Sequence, residues 1–169
     1  DLDSVSLLHA ARELQNGKDL AGKDLKGSPH FFTGAIVTPG ADPVEPQIIK
    51  MEKKLKAGAQ FFQTQAIYEP KKFEEFMKSV KYLNVPVLVG IVVLRSAAMA
   101  RFMNKNVAGV HVPDALIQEM DKAENKVQKS NEIAARLITE MKDMYQGVHI
   151  MAIGLEKRIP AIIEAAKLK

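Results

Sequence analysis

Two glutamines and a cluster of lysines are the side chains whose type and spacing could do chemistry. Gln63 and Gln65 flank Thr64 in Gln60–Tyr68 (QFFQTQAIY), a stretch rich in apolar residues. A glutamine is neither acid nor base. Its amide donates and accepts hydrogen bonds at once, so it orients a ligand rather than moving a proton. A buried amide must find partners, and two readings stand: these amides satisfy neighbouring strands or ordered water, or they meet a ligand. Lys50, Lys53 and Lys54 recur at i, i+3, i+4 on one helix face, with Lys56 close by. Like charges at that spacing repel, so the helix gains nothing from them. They form either a solvated face or a seat for an anion such as a cofactor phosphate.

Other chemistries fall away. There is no Cys, which excludes disulfides, thiolate metal sites, iron–sulfur clusters and a cysteine nucleophile. His9, His30, His111 and His149 are too dispersed for a metal motif; His111 and His149 lie in apolar contexts and are expected to be hydrogen-bonded parts of the structure. No Ser-His-Asp or paired-carboxylate arrangement is readable, and Glu156 fits the ordinary preference for an acid at a helix start. No GxGxxG follows the first expected strand, and no GxxxxGK loop occurs, which weakens dinucleotide and P-loop readings. The eight Met read as core filler.

The elements that must position these residues follow from periodicity. An amphipathic helix over 1–16, capped by Asp3 or Ser4, is ended by Gly17. A Gly-rich loop over 17–29 leads to a short buried strand, Phe31–Thr38, stopped by Pro39-Gly40. Then come a helix over Gln47–Lys56, a strand over Gln60–Tyr68, a helix over Lys71–Leu83, a strand over Val85–Leu94 and a helix over Ser96–Asn104 capped by Ser96. Residues 107–113 connect to a helical region, Pro113–Gln146, expected to break near Lys122–Lys129 with Ser130 capping the second piece. A strand over Gly147–Gly154 and a helix over Lys157–Leu168 close the chain, with Pro160 in that helix's first turn.

The order is αβαβαβααβα, counting Pro113–Gln146 as one helical region. Strands apolar on both faces, alternating with helices, argue for a parallel sheet covered by helices. Four βα units preceded by one helix fit part of a (β/α)8 barrel better than an open doubly wound sheet. The 169 residues fall short of the ~250 of a whole barrel. In such folds function sits at the carboxyl ends of the strands, here at Thr38–Gly40, Gln63–Gln65, Val93–Ser96 and Ile153–Glu156. Strands Phe31–Thr38 and Gly147–Gly154 are the expected outer strands, and their open edges predict self-association or contact with a missing N-terminal half.

Charge and hydropathy limit the partners. The net charge is +4, from 24 Lys+Arg against 20 Asp+Glu, with three Tyr and no Trp. The lysines are spread through the chain, so a solvated surface is expected and no nucleic acid. The longest apolar run, Val85–Leu94, contains Pro86 and Gly90 and is about half of the ~20 residues a membrane span needs. The acidic opening Asp1–Asp3 does not resemble a secretory signal, and a cytoplasmic location is the expectation. The chain does not begin with Met, which points to a fragment or a processed chain.

At FFTGAIVTPG, AGAQFFQTQ (Ala57–Gln65), VPVLVGIVVLRSAAMARFMN, VAGVHVP and GVHIMAIG, the sequence resembles the bacterial, flavin-dependent type of methylenetetrahydrofolate reductase. The resemblance covers essentially the whole chain but only the C-terminal half of that family's barrel, as a single domain over 1–169. It implies a (β/α)8 fold, FAD as cofactor, NAD(P)H as electron donor, and reduction of 5,10-methylene-tetrahydrofolate to 5-methyl-tetrahydrofolate in one-carbon metabolism and methionine biosynthesis. Gln65 matches a Gln that contacts folate and nicotinamide. Met99 and Phe102 fall in a folate-contacting helix. Lys53 and Lys54 match a basic pair on the helix against FAD. Thr38 stands at a strand end near the flavin, and Gln47 and Lys50 occupy flavin-contact positions with different residue types. The family's catalytic acid lies in a segment not matched here, so no catalytic residue is expected in this chain, which supplies half an active site. The alternative is a non-catalytic folate- or flavin-binding half-barrel module in a larger complex.

Overall fold

The computed structural model describes residues 2–168. Asp3 opens the first helix, α1 (Ser4–Gln15), where its carboxylate accepts the Ser6 N–H at 2.7 Å. That bond satisfies one of the backbone donors a helix start leaves without a partner. The chain then runs β1 (Gly34–Val37), α2 (Glu45–Ala57), β2 (Phe61–Ala66), α3 (Pro70–Val80), β3 (Val87–Val92), α4 (Ala97–Asn106), α5 (Asp114–Lys122), α6 (Lys126–Glu140), β4 (Gly147–Met151) and α7 (Ile159–Ala165). Short 3-10 turns at Lys81–Leu83 and Glu156–Arg158 lie outside these helices.

The four strands form one sheet in the order β1-β2-β3-β4, every neighbouring pair parallel. Each crossover therefore joins adjacent strands in the same direction. Right-handed crossovers that never reverse direction place all their helices on one face. A doubly wound sheet reverses its order and covers both faces; the sequential order is that of successive units of a (β/α)8 barrel. The fold is thus α/β, a partial barrel of four βα units preceded by one helix.

Burial follows from that one-sided cover. Along β2, Phe62, Thr64 and Ala66 are buried while Phe61, Gln63 and Gln65 are half-buried. Val37, Phe62, Val87, Val89 and Ile91 point into the helical layer and meet Met51, Phe73, Phe76, Val80, Ile133 and Ile138 in one core. Fully burying one such side chain contributes about 1.5–3 kcal/mol. In α3, Phe73, Phe76, Met77 and Val80 follow i, i+3, i+4, i+7, the stripe a helix lays on a sheet.

The structure corrects several expected boundaries. Phe31 and Phe32 are not in a buried strand: β1 starts at Gly34, Phe32 is 74% exposed, and its ring stacks on Phe61 with centroids 5.1 Å apart. No helix covers that side of the sheet, so two apolar residues in sequence do not imply burial there. Ser130 caps nothing. The cap of α6 is Asn125, whose side-chain oxygen accepts the Gln128 N–H at 3.0 Å, and Ser130 lies buried within the helix. The other strands end short of their expected limits, because the apolar residues beyond them turn into the connecting loops. Strands β1 and β4 are the sheet's outer strands, as the pattern indicated.

Candidate functional site

The uncovered face of the sheet is built in rows by the parallel register. Ile36, Gln63, Leu88 and Gly147 form one row, Gly90 and His149 the next, and Val92 and Met151 the one nearest the carboxyl ends. Between Gln63 and Ala66 the register with β3 slips, a bulge that lets the Thr64 hydroxyl accept the Gly90 N–H at 2.9 Å. Gly90 is obligatory here. A Cβ on it would stand 2.4 Å from the Thr64 carbonyl oxygen and 3.0 Å from that of Gln65.

Gln63 and Gln65 sit on this face, half-buried, and neither amide bonds to another described residue. Neighbouring strands therefore do not satisfy them. His149 shares the face, and its Nδ1 is buried without a partner among the described residues. That differs from the hydrogen-bonded role expected of it. His111 does have a partner: its Nδ1 lies 3.0 Å from the Glu69 carboxylate, which also pairs with Lys72 at 2.9 Å.

Three connections shape the carboxyl-end rim. Residues 107–113, after α4, fold back over the end of β1 and form a strap. The Asn104 side chain holds the strap by donating to the Val112 carbonyl at 2.9 Å and accepting the Val112 N–H at 2.7 Å. Gly109 rests against Gly40 and on the Thr38 methyl, so Thr38 is packed beneath the strap. After β2, the buried Tyr68 hydroxyl donates to the Val92 carbonyl at 2.8 Å, and burial pushes its pKa well up. After β3, the Arg95 guanidinium donates to the Ile153 carbonyl in the turn after β4. Met99, in the first turn of α4, takes the Arg95 backbone N–H on its sulfur at 3.4 Å, and Ser96 caps that helix. Phe102 is exposed on the same helix.

The lysines of α2 divide. Lys54 reaches the open edge of β1 and donates to the Ile36 carbonyl at 2.6 Å. Burial lowers its pKa, and the neighbouring Lys50 charge lowers it further. Lys50 and Lys53 are exposed, and Gln47 is half-buried one turn before Lys50. None of the three lysines has a carboxylate within ion-pair range among the described residues. Asp3 is a counter-charge near Lys50 and Lys54, beyond ion-pair range. The excess of ammonium groups on this face fits a phosphate, with Lys54 already committed in part to the strand edge.

The cavities fall elsewhere. One of about 730 Å³ opens at the amino ends of the strands, lined by Met77, Val80, Asn84, Val85, Val87 and Met144 among others. One of about 400 Å³ runs between α1 and the β1 edge, and only about 20 Å³ remains under the strap. The larger openings lie away from the carboxyl ends, where parallel α/β proteins place their chemistry. Size alone therefore does not locate the site.

With this geometry in view, the comparisons decide the family. The family model for methylenetetrahydrofolate reductase matches residues 31–167. The chain belongs to that family. Methylenetetrahydrofolate reductase 2 of Schizosaccharomyces pombe is 27% identical over 130 residues, covering 69% of this chain but 20% of its own length. The chain thus spans about a fifth of that reductase. A solved structure, an uncharacterized protein from Clostridium thermocellum that binds two copies of 5-methyl-5,6,7,8-tetrahydrofolic acid, superposes with a TM-score of 0.61 at 20% identity. The match takes in 79% of this chain and 52% of that one, and it shows a shared fold.

The sequence named Gln65, Met99 and Thr38, and the structure brings all three to the carboxyl-end half of the sheet. It sets Lys50, Lys53 and Lys54 apart, on the helical layer near the β1 edge. Arg95 reads in sequence only as part of the strand end Val93–Ser96, and the strap only as a connection. Arg95 is visible in sequence as a charge closing an apolar strand, but its reach to Ile153 is not.

Proposed function

We propose that this chain contributes the folate-binding half of a flavin-dependent methylenetetrahydrofolate reductase barrel, a single domain that reduces 5,10-methylene-tetrahydrofolate when the barrel is complete. The observation that carries the reading is the pair of unpartnered amides, Gln63 and Gln65, on the uncovered face of a sequential parallel sheet, in a chain of this family. Support for folate itself comes from the Clostridium thermocellum protein of the same fold.

Gln65 binds and orients the pterin, donating to a ring acceptor while accepting from a ring N–H. Val92 and Met151 give the apolar wall above it, and Met99 closes the side toward α4. Gln47, Lys50, Lys53 and Lys54, with Thr38 at the strand end, would hold FAD, the first four through its phosphates. Bound FAD supplies the hydride, and NAD(P)H is the proposed source of its electrons. No carboxyl group stands in the rows of the uncovered face. The acid that opens the substrate's five-membered ring is therefore assigned to the other half of the barrel, which also covers the open sheet edges. The same observation favours a second reading, a folate-binding module without catalysis of its own.

The test is stopped-flow reoxidation of reduced flavin over a folate titration, with this chain in a complete barrel. Gln65→Ala should keep its flavin colour and lose folate affinity roughly ten- to hundredfold, since buried pterin groups would lack a partner. A concentration dependence equal to the unmodified protein's would remove Gln65 from the site.

A further inference from the structure

We infer that Arg95 is the anchor for the terminal carboxylates of the ligand, the residue that makes this face select a folate with its acidic tail over a bare pterin; the inference rests on the folate reading above. Arg95 lies three residues beyond the end of β3 and is exposed at the rim. One guanidinium nitrogen is spent on the Ile153 carbonyl. A guanidinium carries five N–H donors in a planar fork suited to a carboxylate, so most of this one remains available.

The turn after β4 is shaped around that group. Ile153 and Gly154 both have positive φ, 49° and 81°. For a β-branched residue this is a costly conformation, of the kind that persists where surrounding contacts hold it. It presents the Ile153 carbonyl to Arg95. Gly154 lies directly beneath the guanidinium: a Cβ there would stand 2.7 Å from the Arg95 Nη2, and its φ of 81° favours glycine. The nearest acid, Glu156, is turned elsewhere. Its carboxylate accepts the Gly154 N–H at 2.8 Å, and it forms no ion pair with Arg95 within 4 Å among the described residues. The guanidinium is thus held in direction with no carboxylate in ion-pair contact, although its charge reaches Glu156 and helps lower that group's pKa. Lys72, also at this end, is occupied by Glu69.

The vertical order of the site supplies the ligand class. The open amide of Gln65 lies near the Gly90 level, the apolar pair Val92 and Met151 lies above it, and Arg95 lies at the rim. Arg95 is five positions beyond Gly90, the first two in β3, so the two can stand up to roughly 16 Å apart along the strand direction. An elongated molecule with a hydrogen-bonding heterocycle, an apolar aromatic middle and a carboxylate end matches that sequence of surfaces. Tetrahydrofolates have this shape, with the charge on the glutamate.

The experiment is equilibrium binding of 5-methyltetrahydrofolate and of its glutamate dimethyl ester, to the unmodified chain, Arg95→Ala and Arg95→Gln. Gln retains a donor for Ile153 while losing the charge, so it separates anchoring from support of the turn. The unmodified chain should bind the acid more tightly than the ester. Both variants should weaken the acid about ten- to hundredfold and leave the ester unchanged. Equal loss for acid and ester, or equal affinity of the unmodified chain for both, overturns the anchor and leaves the folate reading intact. Failure of the unmodified chain to bind either form overturns both.

Discussion

Replacing Gly90 with alanine tests the geometry on which the site depends. The added Cβ would meet the Thr64 carbonyl oxygen at 2.4 Å and the Gln65 carbonyl oxygen at 3.0 Å, both backbone atoms of β2, and the Met151 methyl at 2.9 Å. The methyl can swing away; the carbonyls cannot move without parting β2 from β3. Overpacking of this kind costs about 1–3 kcal/mol. Loosening the Gly90 N–H bond to the Thr64 hydroxyl adds ~1 kcal/mol. The sum is about 2–4 kcal/mol, which at ~2–4 °C per kcal/mol for a domain of this size lowers Tm by roughly 4–16 °C. Gly147→Ala is the control. Its Cβ would meet the Leu88 Cδ2 at 2.5 Å, the end of a rotatable side chain beside open space, so the cost should stay below ~1 kcal/mol. Thermal unfolding followed by circular dichroism reads both. Equal shifts for the two variants, or an unchanged Tm for Gly90→Ala, would refute the claim that the bulge leaves no room at Gly90.

Two further changes follow from buried polar groups. Ser130 is 1% exposed and its hydroxyl has no partner among the described residues, so Ser130→Ala should stabilise by ~1 kcal/mol, read as a rise in Tm; a fall would mean the hydroxyl is satisfied. Tyr68 is held neutral by burial, its pKa raised above 10.0. Above pH 10 the unfolded chain loses a proton the folded one keeps, so stability should fall as pH rises. Tyr68→Phe should flatten that decline while costing about 1–3 kcal/mol at neutral pH, because the Val92 carbonyl is left bare; an unchanged alkaline slope would assign the decline to other groups.

Local chemistry made much of the fold legible. The Phe73–Val80 stripe, the Asp3 and Ser96 caps and the alternation of apolar strands with helices each depend on residues a few positions apart. What stayed hidden depends on residues far apart in sequence. The slip at Gln63–Ala66 requires knowing which strand lies beside β2. The strap is held by Asn104 but defined by where Gly109 lands, against Gly40. Lys54 read as part of a charge cluster because sequence does not show that the Ile36 carbonyl faces an open edge. Phe31 and Phe32 read as a buried strand for the same reason, since hydrophobicity does not say which face lacks a cover. Gln65 was legible as a polar interruption, whereas Arg95 gained meaning only when the turn after β4 came within reach.

Hydrogen exchange of the chain with and without 5-methyltetrahydrofolate tests the central claim most directly, because it reads where the ligand sits. The account predicts slowed exchange over 63–66 and 153–156, at the carboxyl ends of β2 and β4, and no change over 84–87 beside the 730 Å³ cavity. Protection confined to 84–87 and Met144 would place the ligand at the amino ends of the strands and contradict the assignment of the site.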